Sequence, residues 1–198
     1  MRFTTKNTPI PFLLSIILSS LYIGSLSAVE VKGVKIAEKV TQTESKQTLI
    51  LNGTGMRSKF IFNIYIGALY LPQKTTDPKQ VINSADAKRV AMHFLYDKVE
   101  KKKMTDGWSD GFSDALDKAS MQSMQARIDQ FNSFFPDMVE GDTVIIDFIP
   151  AQGTVVMINN NLKGTIAGAD FQKALLTIWF GDSPPNEELK DGMLGIVD

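Results

Sequence analysis

The 198-residue chain contains no cysteine. That removes thiol catalysis, cysteine metal sites and disulfide cross-links, and leaves stability to packing. It contains one histidine, His93, which rules out zinc motifs built on paired histidines and leaves little scope for a Ser–His triad. There is no excess of positive charge either. Twenty-one basic side chains stand against 22 acidic ones, so the chain lacks the electrostatic footprint of a nucleic-acid binder. It has no internal repeat and no low-complexity linker.

A long apolar run occurs once, from Ile10 to Leu26, after Arg2 and Lys6 and before the small residues Ser25, Ser27 and Ala28. That is the layout of a secretory signal peptide over residues 1–28, cut after Ala28, with Ser27 as the alternative point. An uncleaved anchor is the competing reading, but about 17 residues is the lower limit of a span. Without Arg2 and Lys6, 19 basic face 22 acidic residues, a net charge of −3. The remaining 29–198 are enough for one domain with a sizeable core. The expectation is a periplasmic or secreted protein with no stable membrane insertion after cleavage. Nothing in the chain points to a cofactor, and its oligomeric state is left open.

Periodicity predicts the elements that follow. Val29 to Val40 reads as a strand pair around Gly33, and Gln47 to Leu51 as a short strand closed by a turn signal at Asn52-Gly53. Lys59 to Leu71 reads as one long strand stopped by Pro72, and Lys88 to Tyr96 as another. Pro78 to Asn83 suits a single helical turn. The period then changes. Met121, Met124, Ile128, Phe131 and Phe135 fall at 3-4-3-4 spacing, one face of an amphipathic helix. A second helix carries Met104, Trp108, Ala115 and Leu116. Thr143 to Ile149, Thr154 to Ile158 and Leu162 to Ile166 read as an antiparallel meander, Ala169 to Phe180 as a helix closed by Gly181, and Pro185 to Met193 as a terminal helix. Sequential strands with grouped helices predict an α+β domain with its helices on one sheet face.

The residues that could carry chemistry are few. Arg57 stands just before an apolar strand, where an arginine is costly to bury unless an anion meets it. Tyr65 lies eight residues on, which puts both on one face of a continuous strand but roughly 26 Å apart at about 3.3 Å per residue. They share a head group only if the chain bends between Ser58 and Phe62, or if the ligand is long. Asn63 falls on the Tyr65 face and needs a partner if buried. His93 alternates with the more apolar Met92 and Phe94 and is expected on the wetter face. Asp106, Asp110, Asp114 and Asp117 recur at helical spacing but without EF-hand pattern, the mark of a solvated face. Lys101-Lys102-Lys103 reads as a surface run. The helical methionines read as core, in a residue type that also suits a flexible apolar tail.

Gly53-x-Gly55-x-Arg57 followed by Asn63-Ile-Tyr-Ile-Gly-Ala-Leu-Tyr-Leu71 resembles the core strand of the chalcone isomerase superfamily. Phe171 to Leu194, with its Gly181-Asp182-x-Pro184 break, resembles that family's last two helices. The likeness runs from Val29 to Leu194 and is to the bacterial exported chalcone-isomerase-like group. It implies an open-faced β-sandwich, a large antiparallel sheet covered by helices with a cleft between. In the plant enzymes the matching arginine stabilises an enolate; in the fatty-acid-binding relatives it holds a carboxylate with a strand tyrosine. The first carries over to Arg57 and the second to Tyr65, where the flavonoid enzymes have threonine. The Arg57–Tyr65 interval is several residues shorter than in the plant proteins, and the helix with Trp108 and Phe112 shows no equivalent of the enzymes' catalytic tyrosine and asparagine. Three expectations follow: a non-catalytic binder of a fatty acid or similar apolar carboxylate through Arg57, Tyr65 and Asn63; an intramolecular lyase acting on an enone-like ligand, with Arg57 as catalytic electrophile; or a structural protein whose cleft is closed by side chains.

Overall fold

The computed structural model of the protein describes residue 1 and residues 27–196. All but the ends of the segment read as a signal peptide therefore lie outside the described residues. The chain folds as an open-faced β-sandwich of α+β class. Its strands are β1 (Ala28–Val31), β2 (Val34–Ala37), β3 (Lys39–Thr41), β4 (Thr48–Lys59) and β5 (Phe62–Leu71), followed by helix α1 (Pro78–Asn83) and β6 (Lys88–Phe94). After β7 (Lys98–Val99) come α2 (Lys101–Ala115), α3 (Lys118–Ser133) and β8 (Met138–Val139). The meander β9 (Thr143–Ile149), β10 (Gly153–Ile158) and β11 (Asn161–Ile166) precedes α4 (Ala169–Phe180) and α5 (Glu187–Leu194). The main sheet has seven strands in the order β11-β10-β9-β6-β5-β4-β3, all paired antiparallel.

The larger core lies between the sheet and the helices. Ile128, Phe131 and Phe135 from the 3-4-3-4 stripe, Phe112 from α2, and Phe171, Leu175 and Trp179 from α4 meet Leu69, Val90, Phe94 and Phe148 of the strands. Alternation along β5 sends Tyr65, Leu69 and Leu71 into this core and Ile66, Ala68 and Tyr70 to the opposite face. The β1–β2 hairpin covers part of that second face through Ile36. The same face carries a buried bidentate pair, Arg89 to Asp147, with both N···O distances 2.7 Å. Gln42 donates a further hydrogen bond to Asp147 Oδ1 at 3.1 Å.

Two sequence expectations are corrected here. The first is the single strand from Lys59 to Leu71. Instead the chain reverses at Phe60-Ile61, between the paired residues Lys59 and Phe62, so that β4 and β5 form a tight hairpin. The second is the turn at Asn52-Gly53, which lies within β4. Asn52 is an extra residue there, since Leu51 pairs with Tyr70 and Gly53 with Leu69. Its side chain is held by Thr75 and by the Met193 carbonyl, to which it donates at 2.9 Å.

That bulge turns Gly53 and Gly55 toward the helical side, and α5 lies directly on them. A Cβ at Gly55 would overlap the Leu189 carbonyl, and one at Gly53 the Gly192 carbonyl. Gly192 in turn lies against the Thr54 carbonyl and Gly55. Backbone packs on backbone, and only glycine permits the approach. Gly55→Ala should therefore cost about 3 kcal/mol, the upper part of the usual overpacking range. Gly107→Ala, in the middle of α2 with nothing near its added methyl, should instead gain up to about 1 kcal/mol from helix propensity. Urea unfolding of the two variants beside the parent checks both signs.

Candidate ligand-binding site

A cleft of about 680 Å³ opens between the end of the β4–β5 hairpin, the segment after β6, α2, and α4 with the turn that follows it. That is within the roughly 300–1,000 Å³ of small-molecule sites. It is open, so the expectation of a cleft closed by side chains does not hold.

Arg57 and Tyr65 line it side by side. They are directly opposed in the β4–β5 ladder, an arrangement that holds Cβ atoms about 4.5–5.5 Å apart. The long separation along a straight strand is thus replaced by a cross-strand contact, because the chain bends within the Ser58–Phe62 window. Arg57 is half-buried, and its Nη1 donates to the Ser58 carbonyl. Among the described residues no carboxylate lies within ion-pair distance of it.

Tyr65 is 8% exposed. Its hydroxyl oxygen accepts a hydrogen bond from Trp179 Nε1 at 3.2 Å. Burial pushes the phenol pKa above its ordinary value, while the Trp179 hydrogen bond and the Arg57 charge pull the other way. The phenol is therefore neutral near pH 7 and keeps its proton. Among the described residues that proton has no acceptor. Trp179 itself is held edge-on to Trp108, with ring centroids 5.4 Å apart, and Trp108 packs on Phe131 and Phe135. The aromatic wall thus fixes which way the hydroxyl points.

Beyond this polar end the lining is largely apolar, with Ile64, Met92, Met104 and Ile178. Charges stand at the rim. Lys98 is paired with Asp137 at 2.7 Å. Asp106, Asp110 and Asp114 are exposed, as expected of a solvated face, yet they run along the α2 lip of the cleft. Among the described residues no three acidic or histidine side chains converge as a metal site.

Asn63 does not join the site. Ile64 is an extra residue between the pairs Arg57–Tyr65 and Ser58–Asn63, which reverses the alternation and turns Asn63 to the other face. There it is exposed and accepts from the Ser58 hydroxyl at 3.1 Å. His93 lies on the face of Arg89 and Ala91, away from the cleft, half-buried and with its pKa lowered by desolvation. Sequence reasoning missed Trp179, whose helical spacing marks it as core. The available signal was its indole N–H, which requires a partner once buried. It also missed Tyr96, which lines the mouth against Phe62.

A family model described as chalcone isomerase-like matches residues 28–195. Among solved structures, the crystal structure of the Arabidopsis thaliana fatty-acid binding protein AtFAP1 is similar, with a TM-score of 0.59 at 12% identity. The match covers 79% of this chain and 96% of that one. At such identity the likeness bears on the fold alone. No curated protein matches the sequence.

The buried phenols give the protein a pH signature. Tyr65 and Tyr70 both have raised pKa values, Tyr70 to about 12, chiefly through burial. A folded-state pKa above the unfolded value means that this contribution to stability is complete below about pH 10 and is lost as the pH rises beyond it. Tyr65→Phe should lower stability by about 1 kcal/mol at pH 7, because Trp179 loses its acceptor. It should also flatten the decline above pH 10. Denaturant unfolding from pH 7 to pH 11 measures both effects.

Proposed function

The chain belongs to the chalcone isomerase-like family, and we propose that it is a non-catalytic binder of a fatty acid or similar apolar carboxylate. The observation that carries this reading is the pairing of Arg57, which has no carboxylate partner among the described residues, with a neutral Tyr65 hydroxyl at one end of an apolar cleft. A carboxylate has two oxygens to satisfy. One accepts from the Arg57 guanidinium and the other from the Tyr65 O–H, whose own oxygen already serves Trp179. The acyl chain then runs along Ile64, Met92 and Met104, where burial contributes about 0.8 kcal/mol per CH₂. Methionine side chains adapt to a flexible tail. The α2 wall adds Trp108 and two glycines, Gly107 and Gly111. The similar fold of a fatty-acid binding protein supports the reading, and the signal-peptide layout of the N-terminal sequence supports action in the periplasm or outside the cell.

Native mass spectrometry of protein purified from its export compartment should reveal a co-purified carboxylic acid. Arg57→Ala should weaken binding of a fluorescent fatty acid by about ten- to a hundredfold, the loss of one charge-assisted hydrogen-bonding group. No bound acid in the parent, together with unchanged affinity in the variant, would overturn the proposal.

A further inference from the structure

The tip of the β4–β5 hairpin is built from residues that neither its conformation nor its solvation favours. Phe60 is 91% exposed and Ile61 88%, with Phe62 half-exposed beside them. Elsewhere among the described residues, large exposed apolar side chains such as Val139 and Leu162 stand singly, as on any soluble surface. Phe60 has φ of +56°, a left-handed conformation that glycine or asparagine adopts at far lower cost than a bulky residue. The fold gains no packing in return. Three consecutive apolar side chains at a convex, strained tip point to a partner outside the chain.

We infer that this tip docks on an anionic lipid bilayer, with Phe60 and Ile61 entering the headgroup region at the mouth of the cleft. Charge complementarity favours a membrane. Arg57 and Lys59 flank the turn on the hairpin side, and neither has an ion-pair partner among the described residues. The opposite lip is mixed in charge: Asp110 and Asp114 stand there with Lys103 and with Asp106, which Lys102 pairs at 2.7 Å. An anionic surface attracts the unpaired cations of the hairpin lip more strongly than this balanced one, which turns the tip toward it. Geometry favours a bilayer over a protein partner. A two-residue turn cannot supply the roughly 1,000 Å² of a specific protein interface, whereas a bilayer receives a small apolar wedge without shape matching. Phe62 packs edge-on against Tyr96 at 5.3 Å, so the wedge has a braced base with a phenol at interfacial height. Docking rests on the tip and not on the identity of the cleft's ligand, although it would open the cleft onto the source of a lipid-derived acid.

The test uses the full-length chain, processed in its export compartment, with vesicles of equal parts phosphatidylglycerol and phosphatidylcholine. Ile61→Asp, at a side chain outside the cleft, should reduce vesicle co-sedimentation at least tenfold and leave the affinity for a fluorescent fatty acid unchanged. In Phe60→Trp, vesicles should shift the new indole's emission to the blue, against the background of the two buried native tryptophans, and 0.5 M salt should weaken the effect. Equal sedimentation of parent and Ile61→Asp, or no spectral shift in Phe60→Trp, overturns the inference. So does a parent dimer in sedimentation velocity that Ile61→Asp converts to monomer. Arg57→Ala that loses fatty acid and still sediments, more weakly than the parent because Lys59 and the apolar tip remain, supports both readings; parent protein that sediments without binding fatty acid supports docking and removes the cleft reading alone.

Discussion

The chain reverses within two residues, Phe60 and Ile61, and the cross-strand register back to Ile50–Leu71 follows from that reversal. Period-two alternation makes the register unforgiving, because a slip of one residue would exchange the two faces of both strands. The register observed sets Arg57 against Tyr65, Gly55 against Gly67 and Gly53 against Leu69. The first pair forms the polar end of the cleft. The glycines leave the bare strand on which α5 rests. With α5 in place, the turn between α4 and α5 brings Pro184 and Pro185 to the cleft wall. One reversal thus positions both the site and the helix that closes the fold.

Two bulges adjust what the hairpin begins. The extra Asn52 in β4 turns Leu51 to the smaller core and Gly53 to the helices. The extra Ile64 in β5 separates Tyr65, which faces the cleft, from Asn63, which faces away. Bulges near binding sites commonly re-aim a side chain in this way. Here they also account for the short interval between Arg57 and Tyr65. A two-residue turn and a single bulge suffice to bring the pair together, and no longer loop is required.

The energetics of the cleft separate its two ends. At one end stand a guanidinium with no carboxylate within ion-pair distance among the described residues, a phenol held neutral by burial and an indole committed to the phenol oxygen. A half-buried cation without a counter-charge is a standing cost, and an anion that also accepts from the phenol relieves it. Along the rest of the cleft, methionine and isoleucine offer apolar contact, and Trp108 adds an indole whose buried Nε1 has no partner among the described residues. A ligand that satisfies both ends is an amphiphile with an acidic head.

Much of this architecture is written in local patterns. The 3-4-3-4 stripe from Met121 as far as Phe131, the helix Ala169–Phe180 and the strand Thr143–Ile149 all coincide with the folded elements, because side-chain periodicity acts over a few residues. Arg57 and Tyr65 were likewise visible as the residue types an anion site requires, and the glycine-arginine motif marked the family. Their meeting was not legible. The strongest turn signal, Asn52-Gly53, was absorbed into a strand by α5 and Thr75, while the true reversal used Phe-Ile, a pair with no turn preference. The bulge that turned Asn63 away and the indole that orients Tyr65 are likewise set by partners distant in the chain. Local sequence determined which segments are helix or strand and which side chains are reactive. Tertiary packing decided which of them face one another, since whole-sheet burial sets where the chain reverses, although Phe60 and Ile61 have no turn preference of their own, and with that reversal the register and its bulges.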